Sequence, residues 1–292
     1  MNKAVLLKEF RKQANLIAAK IDALNLDYKK KASKANKMII KHKNIKITEI
    51  SNMNLDSIEQ LEFILMINYV SYIVMLEIRN HFWGYDYMTF SRRIGEIWEP
   101  FCKLPFNYPI RELEIFTPPT FSKVKSDMSE KTSSLVEELD IPTSEKKELI
   151  DNYKDLWKLV DSSNINLKLD LHFYQDNIYY DVDYKSGFSS NERGNTNRLL
   201  QVASIYNSYF DNHKNLIFVR QPEEENNNYL QLLKNSPNWA VYCADEAYNA
   251  IYSFTGYNLK QWMEINMDWT NDISEDFKKY LIQHDLLKYL TW

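Results

Sequence analysis

Two runs decide how this chain is read: Leu167-Lys168-Leu169-Asp170-Leu171-His172-Phe173-Tyr174 and, after Gln175-Asp176-Asn177, Ile178-Tyr179-Tyr180-Asp181-Val182-Asp183-Tyr184-Lys185. In the first, Leu167, Leu169, Leu171 and Phe173 alternate with polar residues and Tyr174, the period-two pattern of a strand with one buried face. In the second, Ile178, Tyr180, Val182 and Tyr184 alternate with Tyr179, Asp181, Asp183 and Lys185. The polar triplet between them supplies a turn, so the pair predicts a β-hairpin. Side chains alternate across a strand, so Asp181, Asp183 and Lys185 share a face, and Asp170 joins them from the neighbouring strand.

Upstream, a helix is predicted after Thr143 and Ser144, with Leu149, Tyr153, Leu156 and Val160 as its apolar stripe. Downstream, a polar loop from Ser186 to Thr196 leads to a helix through Leu199, Val202, Ala203 and Tyr206. Short apolar strands follow at Leu216 to Val219 and Trp239 to Cys243, with an acidic, Asn-rich loop and a short helix between them, and the chain then reads as helical to its end. In the first third, Phe10, Ala14, Ile17, Ile21 and Leu24 recur at helical spacing, and a second helix runs from Asp56 or Ser57 toward Arg79. Five of the eight prolines (Pro100, Pro105, Pro109, Pro118 and Pro119) predict an irregular, extended connection and the best candidate boundary. The expected class is α/β (α+β): a mixed sheet flanked by helices over 126–292, preceded by a mainly helical region over 1–125.

Composition narrows the function classes. The chain's 292 residues, 45% apolar and 26% charged, suit a soluble globular protein with a substantial core, and its 20 Tyr and 7 Trp are a heavy aromatic load. A formal net charge of −4 excludes a uniformly basic nucleic-acid binder, so any basic footprint must be local. One candidate is the stretch holding Lys29, Lys30, Lys31, Lys34, Lys37, Lys41, Lys43 and Lys46, either a solvated face or a phosphate clamp. Cys102 and Cys243 stand alone, which predicts a reducing compartment and no structural zinc. The N-terminus lacks the apolar run of a signal peptide, and the apolar stretch from Phe63 to Leu76, interrupted by Asn68 and Ser71, reads as a core helix rather than a membrane span. A cytoplasmic location is the expectation.

Two carboxylates beside an ammonium suit a hard divalent cation, which takes oxygen ligands and keeps several waters. Lys185 would then position the attacking water and offset charge on the transition state at phosphorus. An Asp, twelve intervening residues and then Asp-x-Lys on a second strand resemble the PD-(D/E)XK nuclease superfamily, which includes most type II restriction endonucleases. The resemblance covers roughly Asn166 to Cys243, with Leu169 where many members carry proline. It implies a restriction-endonuclease-like fold, Mg²⁺ as cofactor, Asp170 and Asp183 as metal ligands, and Lys185 as the catalytic lysine. Context carries this assignment, because Asp27 with Lys29, Glu145 with Lys147 and Asp276 with Lys278 match acid-x-Lys on predicted helices or at a helix end. Asp181 is an alternative ligand, and His172 either orients a phosphate or is a satisfied structural histidine.

In the loop after the lysine, Ser189, Asn191, Arg193, Asn195, Asn197 and Arg198 are candidate DNA contacts, or else ordinary loop and cap residues. Two of the chain's five glycines, Gly187 and Gly194, fall here and predict tight backbone geometry. The expected function is a homodimeric type II restriction endonuclease acting on double-stranded DNA, leaving 5′-phosphate and 3′-hydroxyl ends, with a cognate methyltransferase for the same site. The helical 1–125 region would bind DNA or dimerise. One alternative is a RecB-like exonuclease or repair nuclease, suggested by Asp181-Val182-Asp183-Tyr184-Lys185-Ser186-Gly187, although that family's Gln-x-x-x-Tyr is matched only by Gln201 and Tyr206 with four residues between them. Another is a noncatalytic DNA-binding protein whose polar hairpin face is merely solvated.

Overall fold

The computed structural model describes residues 2–158 and 165–292. Helices α1 (Lys3–Asp22), α2 (Tyr28–Ser51), α3 (Ser57–Phe82), α4 (Tyr87–Cys102) and α5 (Leu104–Asn107) precede a short strand β1 (Glu114–Ile115). After α6 (Phe121–Glu137) and α7 (Thr143–Lys158) come β2 (Leu171–Gln175), β3 (Ile178–Lys185), α8 (Arg193–Tyr209), β4 (His213–Val219), α9 (Asn228–Lys234) and β5 (Trp239–Cys243). Helices α10 (Asp245–Thr255), α11 (Leu259–Asn266), α12 (Trp269–Asp272) and α13 (Glu275–Gln283) end the chain.

Local chemistry explains the helix starts. Asp27, Asp56 and Asp86 each accept a backbone N–H from the first turn of the helix they precede, and Thr89 returns the bond to Asp86. Helix α3 is apolar on all sides and most of it is buried, the condition of a central core helix. The proline-rich stretch departs from the expected extended connection: α4 runs through Pro100 close to its end, and Pro105 lies in the first turn of α5. Proline is tolerated at a helix start because the missing N–H has no intrahelical partner there.

The five strands form one mixed sheet in the order β1-β2-β3-β4-β5, antiparallel for β1 to β3 and parallel for β3 to β5. The predicted hairpin is β2–β3, closed by Asp176 and Asn177, both at positive φ, as a two-residue turn matching the strand twist demands. Its first strand is shorter than the alternation implied. The chain bends at Asp170, so Leu167 and Leu169 pack on one side of the sheet and Leu171 and Phe173 on the other.

Helices cover both faces. On one, Leu171, Phe173, Tyr180, Val182, Tyr184, Leu216 and Phe218 join a cluster built from α1 to α5 and α10 to α13, so the first five helices share their core with the C-terminal helices. On the other, Ile217 and Val219 meet Phe121, Val124 and Phe188 together with apolar residues of α8 and α9. Helix α7 buries none of its described residues: Leu149 and Leu156 of the predicted stripe are 45% and 62% exposed, and Val160 lies outside the described residues.

Phe173 stacks on Tyr180 with ring centroids 4.8 Å apart and meets Phe106 and Phe254, joining the hairpin to the helices. Phe173→Ala is expected to lower unfolding stability by about 3–5 kcal/mol, whereas Leu156→Ser stays within about 0.5 kcal/mol. Urea-denaturation midpoints at constant slope check both.

Candidate active site

Asp183 and Lys185 point from β3 toward the α8 side of the sheet, beneath a face that the alternation left open as solvated but that is buried: Asp183 is 2% exposed and Asp181 fully buried. Lys185 Nζ forms an ion pair with the buried Asp183 Oδ2 at 2.6 Å. Arg198 on α8 brings Nη2 within 3.5 Å of Oδ1. Asp170, at the bend before β2, gives its N–H to Val182 O at 3.0 Å, and its Oδ2 accepts the N–H of Tyr184 at 2.8 Å. That bond ties Asp170 to the residue between Asp183 and Lys185.

Burial and charge compete at Asp183. Desolvation pushes its carboxyl up to about 6, the like charge of Asp170 adds to the rise, and Lys185 and Arg198 pull the other way without cancelling it. Asp170 thus lies close enough for its charge to act on the poorly solvated Asp183 carboxyl. Among the described residues no group of three or more His, Cys, Asp or Glu side chains gathers to enclose an ion. Two carboxylates nonetheless suffice for Mg²⁺, which keeps several waters, so the oxygen donors of Asp170 and Asp183 fit that ion.

Asp181 has a different role. Its Oδ1 pairs with His172 Nδ1 and its Oδ2 with His213 Nε2 at 2.5 Å, so neither oxygen is left for an ion beside Asp183. His172 Nε2 accepts the Leu169 N–H at 3.0 Å, which places the ring proton on Nδ1, facing Asp181. His172 is therefore a satisfied structural histidine, and the pair stiffens the strands next to the site. His213 escaped sequence reading because only the parallel register of β3 with β4 carries it to Asp181. The available signal was slight: it is one of five histidines and opens an apolar strand.

The segment after Lys185 is pinned. Arg220 N–H bonds Lys185 O at 2.9 Å, Arg220 Nε donates to Ser186 Oγ at 3.1 Å, and Phe188 N–H donates to Asn226 Oδ1 at 2.7 Å. A Cβ on Gly187 would lie 1.5 Å from Gln221 Oε1, so the expected tight geometry is found there. It is not found at Gly194, which sits in α8 with open space around it. Ser189, Asn191, Arg193 and Asn197 are exposed at the entry to α8. Asn195 and Arg198 instead form an inward chain: Asn195 Nδ2 donates to Glu192 at 2.9 Å, and Arg198 reaches Asn195 Oδ1, Asn166 O and Asp183.

Comparison with family profiles, curated proteins and solved structures finds no match to this chain.

A carboxyl raised from 3.8 to about 6 binds its proton more tightly in the folded than in the unfolded chain. Its contribution therefore disfavours folding increasingly as pH rises through that window, and fully above it. In the absence of divalent ions, Asp183→Asn is expected to be more stable than the parent at pH 8 by on the order of 2 kcal/mol, the gain shrinking toward pH 5. Thermal melts at the two pH values measure it; a variant equally destabilised at both would refute the electrostatic reading.

Proposed function

We propose that this chain is a Mg²⁺-dependent endodeoxyribonuclease of the type II restriction class, built on a restriction-endonuclease-like core. The observation that carries the reading is the convergence of Asp170 and Asp183 from adjacent segments, with Lys185 two residues further along touching Asp183. Topology supports it: the antiparallel β2–β3 hairpin, then α8, then β4 parallel to β3, follow the order the resemblance requires.

In this reading Asp170 and Asp183 hold the ion, which when bound supplies Lewis acidity to the phosphoryl oxygens. Lys185 would hold the attacking water in line with the scissile bond and donate to a nonbridging oxygen as charge builds there. The water oxygen bonds phosphorus and releases a proton to solvent as the P–O3′ bond breaks, and the leaving oxygen takes up a proton from solvent, giving 5′-phosphate and 3′-hydroxyl ends. Arg198 steadies Asp183 rather than reading bases, while the exposed Ser189, Asn191, Arg193 and Asn197 are placed to meet a duplex beside the site. Palindromic recognition by a homodimer, with a methyltransferase protecting the same site, completes the proposal. The exonuclease alternative gains no support: Gln201 is exposed, and Tyr206 is buried with its hydroxyl on Leu167 O.

The expected result is discrete fragments from unmethylated DNA of diverse sequence in millimolar Mg²⁺, with cleavage lowered roughly 10²–10³-fold or more in Lys185→Ala and Asp183→Ala while duplex binding persists. Smears growing from the ends, with closed circles spared, would indicate an exonuclease, and no hydrolysis by the parent protein would reject the proposal. At limiting Mg²⁺ the rate should fall as pH drops through about 6, since protonated Asp183 cannot hold the ion. Raising Mg²⁺ should move that acid limb to lower pH.

A further inference from the structure

Away from this site, α2, the C-terminal end of α3 and the first half of α4 line an open cavity of about 470 Å³ whose wall is strongly cationic. Lys29, Lys37, Arg79, Arg92 and Arg93 line it, against the single carboxylate of Glu96. That carboxylate is shared by Arg92, at 2.7 Å, and Arg93, at 3.2 Å. Arg79 differs from its neighbours, being only 8% exposed and, among the described residues, lacking a carboxylate partner. Its guanidinium lies between the rings of Trp83, at 4.2 Å, and Tyr85, at 3.9 Å, and it donates to Trp83 O. Asp86, which also acts on Arg79, uses its carboxylate to cap α4 through the Thr89 N–H.

Two further polar atoms on residues lining this cavity are buried with no hydrogen-bond partner: the Tyr85 hydroxyl and the side-chain oxygen of Asn36. An amide flip would turn the Asn36 position into a donor. A buried cation and unpaired hydroxyl are costly unless a ligand completes them. A guanidinium fork matches the paired oxygens of a phosphoryl group, and the surplus of cations favours a dianion over a single carboxylate.

We propose that this cavity binds a phosphoryl dianion, free phosphate or a phosphate monoester, with Arg79 and Arg93 as its principal donors and the Tyr85 hydroxyl as a third. The site is separate from Asp183 and stands whether or not the chain cleaves DNA. Isothermal titration of the full chain, metal-free and at constant ionic strength, tests it with inorganic phosphate and adenosine 5′-monophosphate as separate probes. The parent protein is expected to bind with one site per chain. Arg79→Met and the more exposed Arg93→Gln should each weaken binding about tenfold or more, as loss of a charge-assisted hydrogen bond does, while Asp183→Ala leaves it unchanged. Tighter binding of the nucleotide would identify a nucleotide as the source of the phosphoryl group, and equal affinities would identify phosphate itself. Absence of binding for both probes, or binding unaltered in Arg93→Gln and in any folded Arg79 variant, would overturn the proposal.

Discussion

The carboxylate of Asp183, held out of water between a lysine and a second aspartate, is the constraint around which the sheet is arranged. A buried anion is tolerated only when charge and hydrogen bonds compensate it. Here the compensation is partial: Lys185 and Arg198 approach, Asp170 opposes, and burial prevails, so the carboxyl is pushed up to about 6. That incomplete compensation is the observation behind the proposal that a divalent cation completes the site.

The surrounding structure makes the geometry durable. On one face, Tyr180, Val182 and Tyr184 anchor β3 in the large apolar cluster. On the other, Asp181 is clamped between His172 and His213, so the strand cannot slip by a residue without breaking both contacts. Beyond Lys185, the Arg220, Asn226 and Gln221 contacts hold the segment leading into α8, whose Arg198 returns to Asp183. The aspartate considered as an alternative ligand is thus held by two histidines, and Arg198, a candidate DNA contact, also approaches Asp183.

Much of this was legible in the residues. Alternation exposed the β2–β3 hairpin, the polar triplet marked its turn, and the spacing of Asp183 to Lys185 brought out the candidate site. What stayed hidden depends on partners distant in sequence. The bend at Asp170 interrupts an alternation that looks continuous, because Leu167 and Leu169 find apolar neighbours on the opposite side of the sheet. The burial of the polar face follows from α8 packing over it, and the Asp181–His213 pair from a parallel register that no local pattern encodes. Proline gave a misleading signal at Pro100, where packing of α4 outweighs local propensity. The stripe of α7 erred in the other direction, as periodicity shows that a helix could bury a face and not that a neighbour exists to cover it.

Loss of the free Mn²⁺ paramagnetic resonance signal on titration of the protein, in the presence of a duplex, tests most directly whether Asp170 and Asp183 share an ion. The account predicts a site that is weakened in parallel by Asp170→Asn and by Asp183→Asn. Asp181→Asn, provided it folds, should retain the site. Uptake indifferent to both Asp170 and Asp183, or lost only with Asp181, would contradict the account.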